Sequence, residues 1–206
     1  MSRPYALWRA GPPLLLASAS TVRRRLLEEC GIPVEATPAG LDERAAEACL
    51  ADRSPSMLAR GLAEAKARAV SARSAGRLVL GADQTLALAD TIYHKPRDIA
   101  EARRHLEAFS GRTHHLHSGL ALVRDATVLW AHVESATLHV RTLSRAFIDG
   151  YLEAAGADVL ASVGAYRLEA HGAHLFERIE GEHSTILGLP LRPLLAELRR
   201  QGCLLA

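Results

Sequence analysis

Lysine is nearly missing from this chain. Of 25 basic residues in 206, only Lys66 and Lys95 are lysine and the others are arginine. An ammonium is a compact point charge and a guanidinium a flat fork, so the two retained lysines draw attention to their positions. Aromatic residues make up 4% and the formal net charge is +2, which speaks against a bulk nucleic-acid or membrane-surface binder. The three cysteines, Cys30, Cys49 and Cys203, are widely spaced, with no CxxC pair and no metal-ligand rhythm. Each reads as a small buried hydrophobe in a reducing cytosol. No apolar stretch is long enough to span a bilayer. The opening stretch from Met1 to Arg9 lacks the apolar middle of a signal peptide, so a cytoplasmic location is expected. Neither GxxxxGK[ST] nor GxGxxG occurs, leaving P-loop and dinucleotide-binding readings without support.

What is present is an alternation of strands and helices. Leu14 to Ala17 reads as a first strand, and Ser20 as the N-cap of a helix through Cys30 that Gly31 stops. Val34 to Thr37 reads as a second strand, and Ser54-Pro55 opens a long helix to about Ser74. A buried strand begins at Leu78, and Asp98 caps a helix over Ile99 to Phe109. Arg112 to Val123 and Thr127 to Val140 form a hairpin turning at Arg124-Asp125-Ala126. Ser144 starts a further helix to about Ala155, Leu175 to Ile179 is a short strand, and Pro193 opens a last helix to Gln201. The pattern predicts an α/β fold with a mixed sheet. We expect one domain over residues 1–206, with 1–13 as an N-terminal extension and two lobes around a cleft.

Several polar residues interrupt this pattern. The run Leu78-Val-Leu-Gly-Ala-Asp-Gln-Thr85 places Asp83 at the expected carboxyl end of a strand, where open α/β sheets gather ligands; a turn cap is the plainer reading. Arg24 and Arg25 have Glu28 and Glu29 as partners four residues on, but Arg23 lies beside the apolar stripe of Leu26 and Leu27. With Ser18 and Ser20 at a helix start, Arg23 suits phosphate oxygens better than it suits snorkelling along the stripe. The row Leu58, Leu62, Lys66, Val70 has a lysine in an apolar face, either snorkelling or reaching a ligand. Lys95 stands before Pro96 in an extended loop. Asp42-Glu43, taken alone, is a solvated loop or the cap of the segment Arg44 to Leu50. His115 and His117 share a strand face without a third ligand, and His171, His174 and His183 lack metal spacing.

Taken together, Leu14 to Leu27 (LLLASASTVRRRLL), Leu41-Asp-Glu43, Lys66, Gly81-Ala-Asp-Gln84, Lys95-Pro96 and Ser110-Gly-Arg-Thr113 resemble the Maf family of nucleoside triphosphate pyrophosphatases. The tail Phe176-Glu-Arg-Ile-Glu-Gly181, followed by Leu187-Gly-Leu-Pro190, resembles it too. The resemblance implies an elongated mixed sheet with flanking helices and a cleft, similar to the inosine triphosphatases. It implies cleavage of a nucleoside triphosphate to monophosphate and pyrophosphate with a divalent cation, Mg²⁺ or Mn²⁺, and leaves room for a homodimer. Asp83 matches the family's catalytic aspartate; Ser18, Ser20, Arg23, Lys66, Gln84, Lys95 and Glu169 would bind substrate, and Glu43 with Asp83 would serve the metal.

The chain departs from the commonest family pattern at Ser20-Thr-Val-Arg23, at Asp83-Gln84 and at Arg167-Leu-Glu169. These changes look like the branch that acts on 7-methyl-GTP rather than the dTTP/UTP branch. Chemistry points the same way. A carboxylate only accepts hydrogen bonds, and guanine's Watson–Crick edge offers two adjacent donors. Uracil and thymine offer one donor between carbonyls, which suits glutamine better. The alternatives are a dTTP/UTP pyrophosphatase and a non-catalytic, nucleotide-binding regulator of cell division.

Overall fold

A seven-stranded mixed sheet runs through the computed structural model, which describes residues 5–206. In chain order the elements are β1 (Leu14–Leu16), α1 (Thr21–Glu29), β2 (Val34–Ala36), α2 (Glu43–Ala48), α3 (Pro55–Ser71), β3 (Val79–Leu88) and β4 (Thr91–Tyr93). There follow α4 (Ile99–Phe109), β5 (Thr113–Arg124), β6 (Thr127–Val140), α5 (Arg145–Ala155), β7 (Phe176–Glu180), α6 (His183–Ile186) and α7 (Leu191–Arg200). Short 3₁₀ turns fill the stretch from Gly156 to Leu175. The strand order is β2-β1-β3-β5-β6-β7, with β4 also paired to β3. The pairs β1–β2 and β1–β3 are parallel and the remaining pairs antiparallel, as the alternation of strands and helices leads one to expect.

Local chemistry sets most boundaries. The hydroxyls of Ser20 and Ser144 and the carboxylate of Asp98 each accept from a backbone N–H in the first turn of their helices. Pro55 starts α3, where its missing N–H costs nothing. Asp125 and Ala126 both take positive φ between β5 and β6, the geometry a two-residue hairpin turn needs. Ala89 does the same before β4. That short hairpin carries no glycine or asparagine, which is why the sequence pattern passes over it.

Helix α3 sits unusually close to the sheet. Its row Ala59, Ala63, Ala67 and Val70 is fully buried, and it meets the glycines of β3 and β5. A Cβ at Gly81 would fall on the Ala63 carbonyl oxygen, and one at Gly119 on the Ala59 carbonyl oxygen. Gly119 is the register partner of Asp83. On the other sheet face lie two apolar clusters. One holds Leu80, Ala82, Leu120 and Leu122 with Leu27, Leu194 and Leu198 of α1 and α7. The other holds Leu86, Leu116 and Leu138 with Leu106 and Phe109 of α4 and Tyr151 of α5. Between them, at the paired positions Gln84 and Ser118, the strands are polar. The expected lobes are these two cores, joined by one sheet.

Four expectations need correction. Asp83 is not at the end of its strand: β3 runs on to Leu88 because β5 pairs with it from Val79 to Ala87. What ends near Asp83 is the parallel neighbour β1, whose last partner on β3 is Leu80. The last helix starts at Leu191, two residues ahead of Pro193, which falls within the first turn where a proline still fits. Of the three cysteines expected to be buried only Cys203 is; Cys30 is half-buried and Cys49 exposed, at the C-terminal turn of the short helix α2. The N-terminal extension, where described, is ordered against the C-terminus: Trp8 is buried, and Arg9 N and Leu205 N donate to Cys203 O and Leu7 O.

Two outcomes follow. Gly119→Ala forces α3 off the sheet or strains it, so urea denaturation should show a loss of about 1–3 kcal/mol; unchanged stability would mean the close approach is dispensable. His114 is buried among Phe109, Tyr166 and Phe176, shares a 2.7 Å hydrogen bond with the Tyr166 hydroxyl, and is pulled down by burial to about 4. Because the folded state resists protonation that the unfolded chain accepts near pH 6.5, stability should fall as pH drops from 6.5 toward 4. The loss approaches ~3 kcal/mol from this group, and in His114→Phe the same urea titrations should show a correspondingly weaker acid dependence.

Candidate active site

The edge of β3 carries a notch. β1 covers β3 only to Leu80 and β4 resumes at Leu86, so the segment around Asp83 pairs with β5 on one side and opens on the other into a cleft of ≈ 840 Å³. Ser18, Ser20, Arg23, Glu43, Lys66, Asp83, Gln84, Lys95 and Glu169 all line it. These nine residues come from six separate stretches of chain and are every site residue expected from the sequence.

Alternation along β3 turns Asp83 toward α3, on the same face as Gly81. Because α3 lies on the glycines, Lys66 reaches Asp83: Nζ donates to Oδ1 at 2.5 Å. Both side chains are about nine-tenths buried, at 11% and 10% exposure. The same Nζ lies 2.6 Å from Oε1 of Glu43, whose side chain is 56% exposed. Asp42 caps α2 through a bond from Ala45 N, which leaves Glu43 in the first turn to lean over the cleft. The plain reading of Asp42 is thus right for Asp42, and Glu43 is the member of the pair that enters the site. Burial pushes the Asp83 carboxyl above the usual carboxylate range, against the opposing pull of Lys66 and then Arg23.

Arg23 is a clasp as well as a cation. Its Nε donates to Gly188 O at 2.9 Å, and its Nη1 to Ala82 O at 2.8 Å and to the Ser18 hydroxyl at 3.2 Å. It thereby covers the open backbone edge of β3 and ties the chain after α6 to it. Gly188 has φ 85°, and a Cβ there would come within 2.9 Å of the guanidinium. The Ser20 hydroxyl is engaged by Arg23 N, and Ser18 also accepts from Ser20 N.

The side-chain amide nitrogen of Gln84 is engaged within the protein. It donates to the Ser118 hydroxyl at 2.9 Å and to the carbonyls of Ile186 at 3.0 Å and Thr185 at 3.2 Å. Ser118 in turn donates to Thr185 O at 2.7 Å. Gln84 thus anchors α6, whose Ile186 lines the cleft, and only its carbonyl oxygen is left to meet a ligand. Glu169 lines the cleft from the turn after Arg167, which donates to it at 3.1 Å and binds Asp158 at 2.9 Å. Lys95 is exposed at the rim. His115 and His117 do share a face, bonded to Thr137 and Ser135, and among the described residues no group of three metal-binding side chains occurs.

The family model for Maf-like protein matches residues 13–201. The chain belongs to the Maf family. A 7-methyl-GTP pyrophosphatase of Mesorhizobium japonicum is 55% identical over 193 residues, covering 93% of this chain and 97% of that protein. A nucleoside triphosphate pyrophosphatase of Nitrobacter winogradskyi is 52% identical over 199 residues, covering 97% of this chain and 98% of its own. Among solved structures, a HAM1 protein from Coxiella burnetii aligns with a TM-score of 0.45 and 18% identity, over 65% of this chain and 75% of that one.

The sequence pattern of this Maf protein did not reveal the clasp. Neither Gly188 as the partner of Arg23 nor Ser118 and Thr185 as partners of Gln84 stands near them in the chain. Arg23→Met should leave the Ala82 and Gly188 carbonyls without their donor and cost about 1–3 kcal/mol in urea denaturation. A variant as stable as the parent would show that the clasp does not hold the cleft wall.

Proposed function

We propose that this chain hydrolyses nucleoside triphosphates to monophosphate and pyrophosphate, with guanine-type nucleotides such as 7-methyl-GTP preferred. The observation that carries this is the buried Asp83 carboxylate held by Lys66 in a cleft that Arg23 and Lys95 also line. The names of the Mesorhizobium and Nitrobacter relatives support it.

The reaction needs negative charge offset on three phosphates and a water delivered to phosphorus. Arg23, Lys66 and Lys95 supply the cations, two within the cleft and one at its rim. Lys66 donates to Oδ1 of Asp83 in the structure, and the other oxygen, Oδ2, would take the water's proton. The water oxygen bonds to the α-phosphorus while the bond from that phosphorus to the bridging oxygen breaks. Pyrophosphate leaves, and the water's proton passes to Asp83. An ordinary aspartate is a weak base near neutrality, and burial makes Asp83 a stronger one.

Asp83 and Glu43 fit a hard divalent cation. Both approach a single nitrogen, Nζ of Lys66, within 2.6 Å, and Mg²⁺ or Mn²⁺ is commonly held by one or two carboxylates plus substrate phosphates. When bound, such a cation offsets phosphate charge and acidifies a water. Glu169 presents an acceptor suited to the N1–H and 2-amino donors of guanine, oriented by Arg167. The reading also keeps the cytoplasm as its location, where nucleoside triphosphates are made and consumed.

The test is product analysis on 7-methyl-GTP, GTP, UTP and dTTP with Mg²⁺ or Mn²⁺. Pyrophosphate and monophosphate should appear together, and Asp83→Asn should lower kcat roughly 10²–10⁴-fold. Tight nucleotide binding without turnover in both proteins would favour the regulator instead. Glu169→Gln should shift the kcat/KM ratio away from guanine-type substrates by roughly tenfold or more, and an unchanged ratio would remove Glu169 from base recognition.

A further inference from the structure

We infer that Lys66 is an exchangeable counter-ion: its ammonium and a divalent cation draw on the same oxygens of Asp83 and Glu43, so that freeing Lys66 for phosphate and loading the carboxylates are one event. This rests on the metal reading above and adds to it a competitor built into the chain.

The geometry is specific. One nitrogen lies 2.5 Å from Asp83 Oδ1 and 2.6 Å from Glu43 Oε1, so a single ammonium contacts both carboxylates. Three donors on a flexible four-carbon stem let an ammonium leave one pair of acceptors for another. Arginine, this chain's usual cation, could not make that exchange with one compact charge. The stem of Lys66 emerges from α3 one turn beyond Leu62, which also lines the cleft, so the ammonium can swing toward a bound polyphosphate without moving the helix. Burial of Asp83 matters here as well, because an ionised carboxylate in that position needs a cation close by whichever one it is.

Two consequences follow by linkage. A cation arriving alone must displace the ammonium, so it binds weakly. A polyphosphate that engages the ammonium releases both carboxylates, and by reciprocity each ligand strengthens the other. Glu43 is the exposed member of the set and stands on α2, a short helix that contacts α3, so exchange also loosens the tie between α2 and the cleft.

The experiment is Mn²⁺ titration, by calorimetry or by the EPR signal of free Mn²⁺, at pH 8 and without nucleotide. Proteins compared are the parent, Lys66→Met, Lys66→Gln and Lys66→Met/Asp83→Asn, each first checked for a parent-like thermal transition. Both single variants should bind Mn²⁺ about tenfold or more tightly than the parent, the scale of a lost charge-assisted contact. The double variant should lose that gain. Equal or weaker binding by both Lys66 variants overturns the exchange while leaving the metal reading intact. No binding by any of them overturns the exchange, and repeating the parent titration with a non-hydrolysable triphosphate analogue then shows whether the metal reading falls too.

Discussion

Helix α3 touches the sheet through backbone and alanine, with no larger side chain between. Gly81 and Gly119 lack the Cβ that would push it away, and Ala59, Ala63 and Ala67 keep the helix side equally thin. Everything at the site depends on that distance. Were α3 displaced outward by the thickness of a methyl group, Lys66 would no longer reach Asp83, and the buried carboxyl group would lose its cation partner. The same contact fixes α2 indirectly, since Glu43 finds Lys66 only where α3 holds it.

The second constraint is the notch between β1 and β4. A strand edge left open exposes backbone groups that need partners. Here Arg23 covers Ala82 O, and Gln84 with Ser118 hold α6 against the other sheet face. The two apolar cores are thus kept in register by a polar seam, and the cleft lies where the seam reaches the strand edge. Asp83 and Gln84 are neighbours with opposite roles because a strand turns successive side chains to opposite faces. Asp83 faces α3 and Lys66, while Gln84 faces the segment that forms the cleft wall.

Much of this was legible in the sequence because local chemistry wrote it. Caps at Ser20, Asp98 and Ser144, the proline at α3 and the long β5–β6 hairpin all follow from short-range rules. The conspicuous residues, Arg23, Lys66 and Asp83, interrupt the apolar pattern, and all three line the cleft. What escaped depends on contacts far apart in the chain. The length of β3 is set by β5, the short β4 lacks the usual turn residues, and the Gly188, Thr185 and Ile186 carbonyls that Arg23 and Gln84 hold lie more than a hundred residues away in the chain. A motif position identifies a residue without saying which way its side chain points, and Gln84 shows the difference.

In the proposed reaction the triphosphate lies across the notch with its α-phosphorus at Asp83. A crystal structure with a non-hydrolysable 7-methyl-GTP analogue and Mn²⁺ tests it most directly. The expected result is a polyphosphate spanning Arg23, Lys66 and Lys95, Asp83 beside the α-phosphate, and the base against Glu169. A base stacked at Asp83 with the phosphates directed toward Glu169, or a nucleotide bound outside the cleft, would contradict it.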